Sequence, residues 1–148
     1  MDDIIIRELE LNDLDNGFLE SLDSLKPATT LPKKKAIEIF EKINMNPSQI
    51  IYVIEKDLQI IGSATLILEQ KFIHDGKCVG HIEDVVINKK FQKLKFGSKL
   101  ISKLIQRAHE EGCYKTVLDC LDDVAPFYKN LGFVPHLKGM RYNHTNSI

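Results

Sequence analysis

The stretch that decides the fold is residues 80–112, GHIEDVVINKKFQKLKFGSKLISKLIQRAHEEG. Its first part, residues 81–87, mixes apolar and β-branched side chains and leads into Asn88-Lys89-Lys90, which predicts a strand entering a basic turn. From Gly97 onward apolar residues recur at helical spacing, charged residues take the opposite face, and Gly112 supplies a stop. This order directs backbone N–H groups and a helix dipole into one small volume, which suits a phosphate or pyrophosphate. The alternative is a plain connecting turn of an α/β protein.

Length and composition indicate one globular domain, which we place at residues 1–148. Of the 148 residues, 43% are hydrophobic and 28% are charged, and the formal net charge is −1. That charge balance removes any general electrostatic case for binding nucleic acid or an anionic membrane. No segment approaches the roughly 20 apolar residues that a membrane span needs, and the N-terminus lacks a signal-peptide pattern. We therefore expect a soluble cytoplasmic protein.

The three cysteines, Cys78, Cys113 and Cys120, carry no pattern that predicts a site. They form an odd set without CxxC spacing, so neither a disulfide framework nor a zinc site is indicated. We expect reduced thiols that serve as packing residues, and no bound metal.

The rest of the chain alternates short strands and helices. Two β-branched runs separated by Lys56-Asp57-Leu58 predict an antiparallel hairpin, and Pro32 fits the first turn of a helix. The order β-α-α-β-β-β-α-β-α-β predicts an α/β protein of the α+β kind, with a mixed, mostly antiparallel sheet flanked by helices. The predicted elements are a strand at 4–9, a helix capped by Asn12 or Asp13 and reaching Leu22, a helix over 36–43, strands at 49–55, 59–68 and 81–87, a helix from 97, a strand at 114–118, a short helix from Pro126, and closing strands at 133–134 and 140–142.

The order of residues in the deciding stretch resembles the Gcn5-related N-acetyltransferase (GNAT) superfamily. Glu83-Asp84-Val85-Val86-Ile87 precedes a loop that begins at Gln92 and reaches Gly97. In the superfamily a Gln/Arg-x-x-Gly-x-Gly/Ala loop after the fourth strand cradles the pyrophosphate of acetyl-CoA, and Lys95 stands where its first glycine belongs. The resemblance implies the acetyltransferase fold with acetyl-CoA as cosubstrate. The residues that it places against acetyl-CoA are Val85, Val86, Ile87, Gln92, Lys93, Leu94, Lys95, Phe96, Gly97, Ser98 and Tyr128.

Short motifs between residues 69 and 140 resemble one branch of this superfamily, the eukaryotic glucosamine-6-phosphate N-acetyltransferases. The resemblance implies acetyl transfer to the amine of D-glucosamine 6-phosphate, a step of UDP-N-acetylglucosamine biosynthesis, without a covalent enzyme intermediate. It also implies a homodimer whose sugar site includes residues of both chains. The motifs are Lys71-x-Ile73-His74, Cys78-x-Gly80-His81-Ile82-Glu83-Asp84, Gly112-Cys113-Tyr114-Lys115, Leu118-Asp119-Cys120 and Phe127-Tyr128-x-x-x-Gly132-Phe133.

Three acidic residues are candidates for binding the amino sugar. Glu83 and Asp84 are neighbours on a predicted strand, so their side chains are expected to point to opposite faces of the sheet. The family places this pair at the amino-sugar site, whereas the structural alternative is one buried and one edge carboxylate. Asp119 follows a buried-type strand and, by resemblance, binds the sugar and orients the attacking amine. Its alternative is a loop-capping aspartate.

Tyr128 lies in a predicted short helix and, by resemblance, hydrogen-bonds or protonates the departing thiolate of coenzyme A. The alternative is a core tyrosine whose hydroxyl has another partner. Val124 occupies the place where an asparagine often contacts the cofactor in the superfamily, so that contact is absent or comes from elsewhere.

The sugar phosphate requires cationic or N–H donors. By resemblance the candidates are Lys71 and His74, with Arg141 as a further one, and the loop at Thr29 closes over the sugar. An ordinary surface or core role is the alternative for each of them.

The lysine at position 95 suggests a loop of ordinary conformation. Glycine is usual there because the backbone must approach a pyrophosphate closely, often with a dihedral angle that other residues adopt reluctantly. We therefore expect Lys95, helped by Lys93, to bind the cofactor phosphates through its ammonium group.

Three other functions are considered. One is an acetyltransferase of the same fold that acts on another small amine, and another is a non-catalytic acyl-CoA sensor. The retention of Asp119 and Tyr128 together argues against the sensor. The third, an unrelated nucleotide-binding domain, lacks its GxxxxGK[ST] or GxGxxG motif.

Overall fold

A five-stranded mixed sheet with strand order β1-β2-β3-β4-β5 forms the centre of the computed structural model, which describes residues 3–146 apart from the side chains of Lys93 and Leu94. The first three strand pairs are antiparallel and the last, β4 with β5, is parallel. The predicted mostly antiparallel sheet is therefore confirmed. The strands are β1 Ile4–Glu8, β2 Gln49–Lys56, β3 Gln59–Gln70, β4 Cys78–Ile87 and β5 Cys113–Val117.

The helices are α1 Phe18–Leu22, α2 Lys33–Asn44, α3 Ile73–Gly76, α4 Phe96–Glu110 and α5 Ala125–Lys129, with 3-10 helices at Leu11–Asp15 and Lys89–Leu94. The chain divides into two compact units, Met1–Leu118 and Asp119–Ile148. The first unit contains the whole sheet, and the second contains α5. A single domain over residues 1–148 stays a prediction.

The core of the first unit forms where helices cover the middle strands. α4 buries an apolar stripe because Leu100, Ile101, Leu104 and Ala108 recur at helical spacing, and each is 0–1% exposed. A second cluster joins α1 and α2 to the sheet. It contains the buried residues Leu14, Phe18, Ala36, Val53 and Ile60.

The first helix was predicted to run without a break from its cap at Asn12 or Asp13 to Leu22. This prediction is wrong, because Gly17 interrupts the helix. The segment forms the 3-10 helix Leu11–Asp15 and then α1, with Gly17 at φ +100° between them. A Cβ at Gly17 would also overlap the backbone carbonyl oxygen of Ile60. The chain therefore turns at a position where only glycine fits both the dihedral angle and the space.

The hairpin of β2 and β3 is confirmed. Asp57 and Leu58 both have positive φ, 49° and 65°, as a tight two-residue hairpin turn requires. β3 and β4 are longer than predicted, because pairing continues to Gln70↔Cys78.

The closing strands predicted at 133–134 and 140–142 are wrong. No residue of either segment lies in a strand, and Val134 and Met140 are 78% and 96% exposed. A strand needs a neighbouring strand that forms hydrogen bonds with its backbone, and neither segment enters the described sheet, whose last strand is β5.

Among residues 3–146 no helix has the length and apolar character needed to cross a membrane.

Candidate active site

The parallel strand β5 pairs only with the first part of β4, from Cys78 to His81. Their last paired residues are His81 and Val117, while β4 continues to Ile87. In the described residues the edge of β4 that faces away from β3 therefore has no strand partner from Ile82 onward. Such an edge can accept an extended amide-containing ligand through β-type hydrogen bonds.

A bulge lies at the candidate carboxylates Glu83 and Asp84. The register with β3 shifts between Ser63↔Val86 and Thr65↔Glu83, and Asp84 has φ +51°. The strict alternation from which we expected opposite faces does not apply here, because a bulge inserts an extra residue and turns the strand locally. Both carboxylates are exposed, so the structural alternative of one buried and one edge carboxylate is wrong.

The basic loop after β4 is anchored to the end of that strand. The Gln92 side chain donates to the backbone oxygen of Ile87 at 3.0 Å, and Asn88 Oδ1 accepts from Lys90 N at 3.1 Å. Buried Phe96 starts α4, and Ser98 Oγ donates to the Lys95 carbonyl at 2.9 Å. The structure thus shows the predicted order of a strand, a basic loop and a helix, in which α4 has 15 residues. The side chains of the candidates Lys93 and Leu94 lie outside the described residues.

The expectation that Lys95 adopts an ordinary conformation is wrong. Its φ and ψ are 60° and 19°, in the left-handed region, and it caps α4. The loop therefore has the left-handed conformation that glycine usually adopts at this position. This conformation is sterically unfavourable for a lysine. The Lys95 side chain is exposed, and its binding to phosphate stays a prediction.

The candidate phosphate ligand Lys71 belongs to a charged cluster. Its Nζ lies 2.8 Å from Glu69 Oε2, and His81 Nε2 lies 2.9 Å from Glu69 Oε1. The hydrogen bonds from Lys71 and then His81 lower the pKa of Glu69, and Glu69 raises the pKa of Lys71. Glu69 and Lys71 are two residues apart, a spacing that could have indicated the pair.

His74 lies apart from that ion pair. Its ring stacks on Tyr114 with a centroid distance of 4.1 Å, and its φ is +53°. The sequence identified His74 but not its aromatic partner, because the two residues are 40 positions apart and only the sheet brings them together.

The loop at Thr29 is held by Asp23. The Asp23 carboxylate accepts from the Ala28 and Thr29 amides at 2.6 and 3.0 Å and from the Thr29 hydroxyl at 2.7 Å. These bonds, the one from the Thr29 hydroxyl above all, lower the pKa of Asp23. Sequence analysis did not identify Asp23. Thr29 also lines a cavity of about 400 Å³ between the Leu11–Asp15 segment, α1 and α2, which contains no other predicted site residue.

In the second unit, Asp119 lies beside the C-terminal segment. A Cβ built on Gly139 would come within 3.4 Å of Asp119 Oδ1, so the backbone at Gly139 passes close to this carboxylate. Asp119, Val124 and Arg141 are exposed.

Tyr128 is packed among aromatic residues of the same unit. It is 8% exposed, and its ring makes edge contacts with Phe127 and Phe133 at centroid distances of 4.9 and 5.7 Å. Burial, and secondarily the nearby Cys120, raises the pKa of the phenol above its usual value of 10. The hydroxyl is therefore protonated at neutral pH and can donate a hydrogen bond or a proton.

Among residues 3–146 no group of three or more histidine, cysteine or acidic side chains is placed to hold a metal ion.

A model of the acetyltransferase (GNAT) family matches residues 13–133. The chain belongs to the GNAT acetyltransferase family.

Other GNAT proteins match this chain over nearly its whole length. It is 35% identical over 146 residues to the glucosamine 6-phosphate N-acetyltransferase of Trypanosoma brucei brucei, covering 95% of this chain and 98% of that one. It is 34% identical over 131 residues to the probable glucosamine 6-phosphate N-acetyltransferase of Drosophila melanogaster, of which it spans 60%. The crystal structure of glucosamine-6-phosphate N-acetyltransferase from Arabidopsis thaliana superimposes with a TM-score of 0.92 at 29% identity, covering 97% and 99% of the two chains.

These comparisons confirm the fold class and the family resemblance predicted for this GNAT chain from its motifs. The match to the relative from Trypanosoma brucei brucei covers 95% of the chain and so extends beyond residues 69–140, where the motifs lie. The roles of individual site residues stay predictions.

Proposed function

We propose that the chain transfers an acetyl group from acetyl-CoA to the amine of D-glucosamine 6-phosphate, giving N-acetyl-D-glucosamine 6-phosphate and CoA. The observation that carries this proposal is the 35% identity to a glucosamine 6-phosphate N-acetyltransferase of which the chain covers 98%. Identity spread over the whole length of a relative supports a shared reaction better than one matching loop does.

The geometry of β4 and α4 fits acetyl-CoA. The edge of β4 beyond its last pair with β5 provides backbone amide groups at Val85, Val86 and Ile87 for the pantetheine arm, and the N-terminus of α4 provides N–H groups for the pyrophosphate. A backbone N–H near Val85 or Val86 polarises the carbonyl of the thioester. A thioester supplies an acetyl group that an amine can attack directly, so none of the three cysteines is required as a nucleophile.

Glu83, Asp84 and Asp119 bind the amino sugar and orient its amine. Glu83 and Asp84 are adjacent and exposed at the bulge of β4, which supports their use for hydroxyl and amine groups. An amine must lose its proton before it attacks, and exposed carboxylates with ordered water are sufficient for that step. Proximity then supplies much of the rate enhancement.

Tyr128 donates to the departing sulfur. Its burial keeps the phenol protonated, which is the form needed to stabilise a thiolate. Lys71, His74 and Arg141 provide positive charge or N–H donors for the sugar phosphate, and Thr29 provides a hydroxyl from a loop that Asp23 holds in place.

The active form is a homodimer in the cytoplasm, with the sugar site near the subunit interface. Exposed apolar side chains in the C-terminal segment, such as Leu137 and Met140 at 82% and 96%, support an intermolecular contact. Light scattering after size exclusion should give a mass of 33.8 kDa, twice the 16.9 kDa of one chain. A mass of 16.9 kDa at micromolar concentration would contradict the dimer.

The test is thiol release from acetyl-CoA with a panel of amines that includes glucosamine 6-phosphate, combined with mass spectrometry of the product. Turnover that is fastest with glucosamine 6-phosphate supports the proposal. Turnover with another amine alone indicates a different acetyltransferase. Acetyl-CoA binding without turnover on any amine indicates a sensor.

A further inference from the structure

Cys78 and Cys113 face each other across the parallel pair of β4 and β5. They are the first residues of the two strands and are register partners. Their Sγ atoms lie 3.0 Å apart. The two residues are 35 positions apart in the chain, so sequence spacing gave no sign of this contact.

Each of these two cysteines has the sulfur of the other as its main polar contact. The Cys78 thiol lies 3.5 Å from the Glu111 carbonyl oxygen, and both cysteines are half-buried. Burial, with the Cys78 contact, raises the pKa of Cys113 to about 12. Cys113 is therefore a thiol at neutral pH, and within the described residues no metal-binding group includes either cysteine.

The geometry also suits a covalent bond between them. Neighbouring strands place partner Cα atoms about 5 Å apart, within the usual disulfide range, and Sγ atoms at 3.0 Å need to approach by about 1 Å. The pairing is irregular at this point, since the next partners are Val79 and Lys115, so the ladder leaves room for that adjustment.

We infer that Cys78 and Cys113 are a dithiol site that a small-molecule disulfide such as oxidised glutathione converts to an intramolecular disulfide. The Cys78 thiolate attacks the oxidant, forms a mixed disulfide and releases one glutathione thiolate. Cys113 Sγ then loses its proton as it attacks Cys78 Sγ, and this attack releases the second glutathione. The protein loses two protons and two electrons, and one oxidised glutathione becomes two reduced molecules.

This disulfide locks the structure without blocking the candidate site. It closes a loop that contains nearly all of β4, the basic loop and α4, which restricts the unfolded chain. The bond lies at the start of the two strands, whereas Glu83 and the edge of β4 that has no pairing with β5 lie toward the end of β4. The oxidised protein therefore unfolds at a higher temperature and keeps its catalytic rate.

The test uses the full chain, incubated with oxidised glutathione and then alkylated with N-ethylmaleimide. We expect one alkylated cysteine, Cys120, a peptide map with a Cys78–Cys113 disulfide, and an increase of about 5–10 °C in the melting temperature that dithiothreitol reverses. The matched control Cys120→Ser should form the same disulfide, and Cys78→Ser and Cys113→Ser should each lose it.

Three alkylated cysteines after full equilibration with the oxidant would overturn the inference, as would a disulfide that uses Cys120. A Cys78–Cys113 disulfide that leaves the melting temperature unchanged, or stops acetyl transfer, would overturn its stabilising role. The peptide map of the unmodified chain decides the pairing even if a serine variant does not fold.

Discussion

Tyr128 carries the most specific chemical role in the proposed mechanism. A phenol is protonated at neutral pH, burial raises the pKa of Tyr128 further, and the proposed reaction uses the hydroxyl only when the sulfur departs. Tyr128→Phe should therefore lower kcat by at least about 10-fold and leave KM for the sugar nearly unchanged. Steady-state kinetics with acetyl-CoA and glucosamine 6-phosphate measure both constants.

Two variants of the second unit serve as comparisons for Tyr128. The control Tyr142→Phe removes a hydroxyl from an exposed tyrosine and should change neither constant. Asp119→Ala should instead raise KM for the sugar, because this carboxylate is proposed to bind the substrate. Suppose that chemistry is the slow step of the unmodified enzyme. An unchanged kcat of Tyr128→Phe would then show that Tyr128 only packs in the core and has no catalytic role.

Lys95 combines a strained backbone with a charge that is proposed to bind phosphate. Its φ of 60° costs a non-glycine residue about 1 kcal/mol. Lys95→Gly should therefore raise the free energy of unfolding by about that amount, and Lys95→Ala should not. Urea denaturation of the two variants separates the steric effect from the loss of charge.

The same position determines how acetyl-CoA binding responds to salt. Lys95→Ala should weaken binding at low salt and give a shallower salt dependence, because ions screen an exposed attraction. Calorimetric titration at two salt concentrations measures this, with Lys99→Ala, an exposed lysine of the same helix, as the control. Unchanged affinity of Lys95→Ala at low salt would mean that the ammonium group only points into solvent.

Among the elements, the break at Gly17 shows where a local pattern is overridden by tertiary contact. Gly17→Ala should destabilise the protein by about 3 kcal/mol, because it adds a backbone clash with Ile60 to an unfavourable dihedral angle. Gly112→Ala is the matched control, since Gly112 has φ +83° but no atom within 4 Å of a built Cβ.

The two alanine variants are compared by urea unfolding. The control should cost about 1 kcal/mol, the conformational part alone. Equal losses in the two variants would show that the carbonyl of Ile60 does not force the break between the 3-10 helix and α1.

Sequence periodicity was sufficient to predict the long helices and strands, but it could not predict the irregular features of the fold. The apolar stripe of α4 and the hairpin turn at Asp57 are local patterns, so they were predictable. The bulge at Asp84 and the thiol contact of Cys78 with Cys113 depend on register between strands, which no local pattern specifies. The closing strands failed because β-type composition predicts a strand only where a neighbour is present to pair with it.

Part of the candidate site could also be predicted only through the family resemblance. Lys71, Asp119 and Tyr128 are ordinary surface or core residues by composition, and motifs in the correct order identified them. Asp23 was not identified from the sequence. Its role depends on the three hydrogen bonds that it accepts from Ala28 and Thr29, five and six residues later, and no sequence motif indicated them.

For the whole molecule, the proposed substrate has two recognisable parts, an amine that reacts and a phosphate that does not. Lys71, His74 and Arg141 are useful only if the phosphate is bound. A substrate without the phosphate loses its attraction to Lys71 and Arg141, a loss that lowers kcat/KM.

The most direct measurement is the ratio of kcat/KM for glucosamine 6-phosphate to kcat/KM for glucosamine, with acetyl-CoA saturating. We predict a ratio of about 100 or more, because a site built for a charged group rejects the analogue that lacks it. Equal kcat/KM on the two sugars would contradict glucosamine 6-phosphate as the substrate.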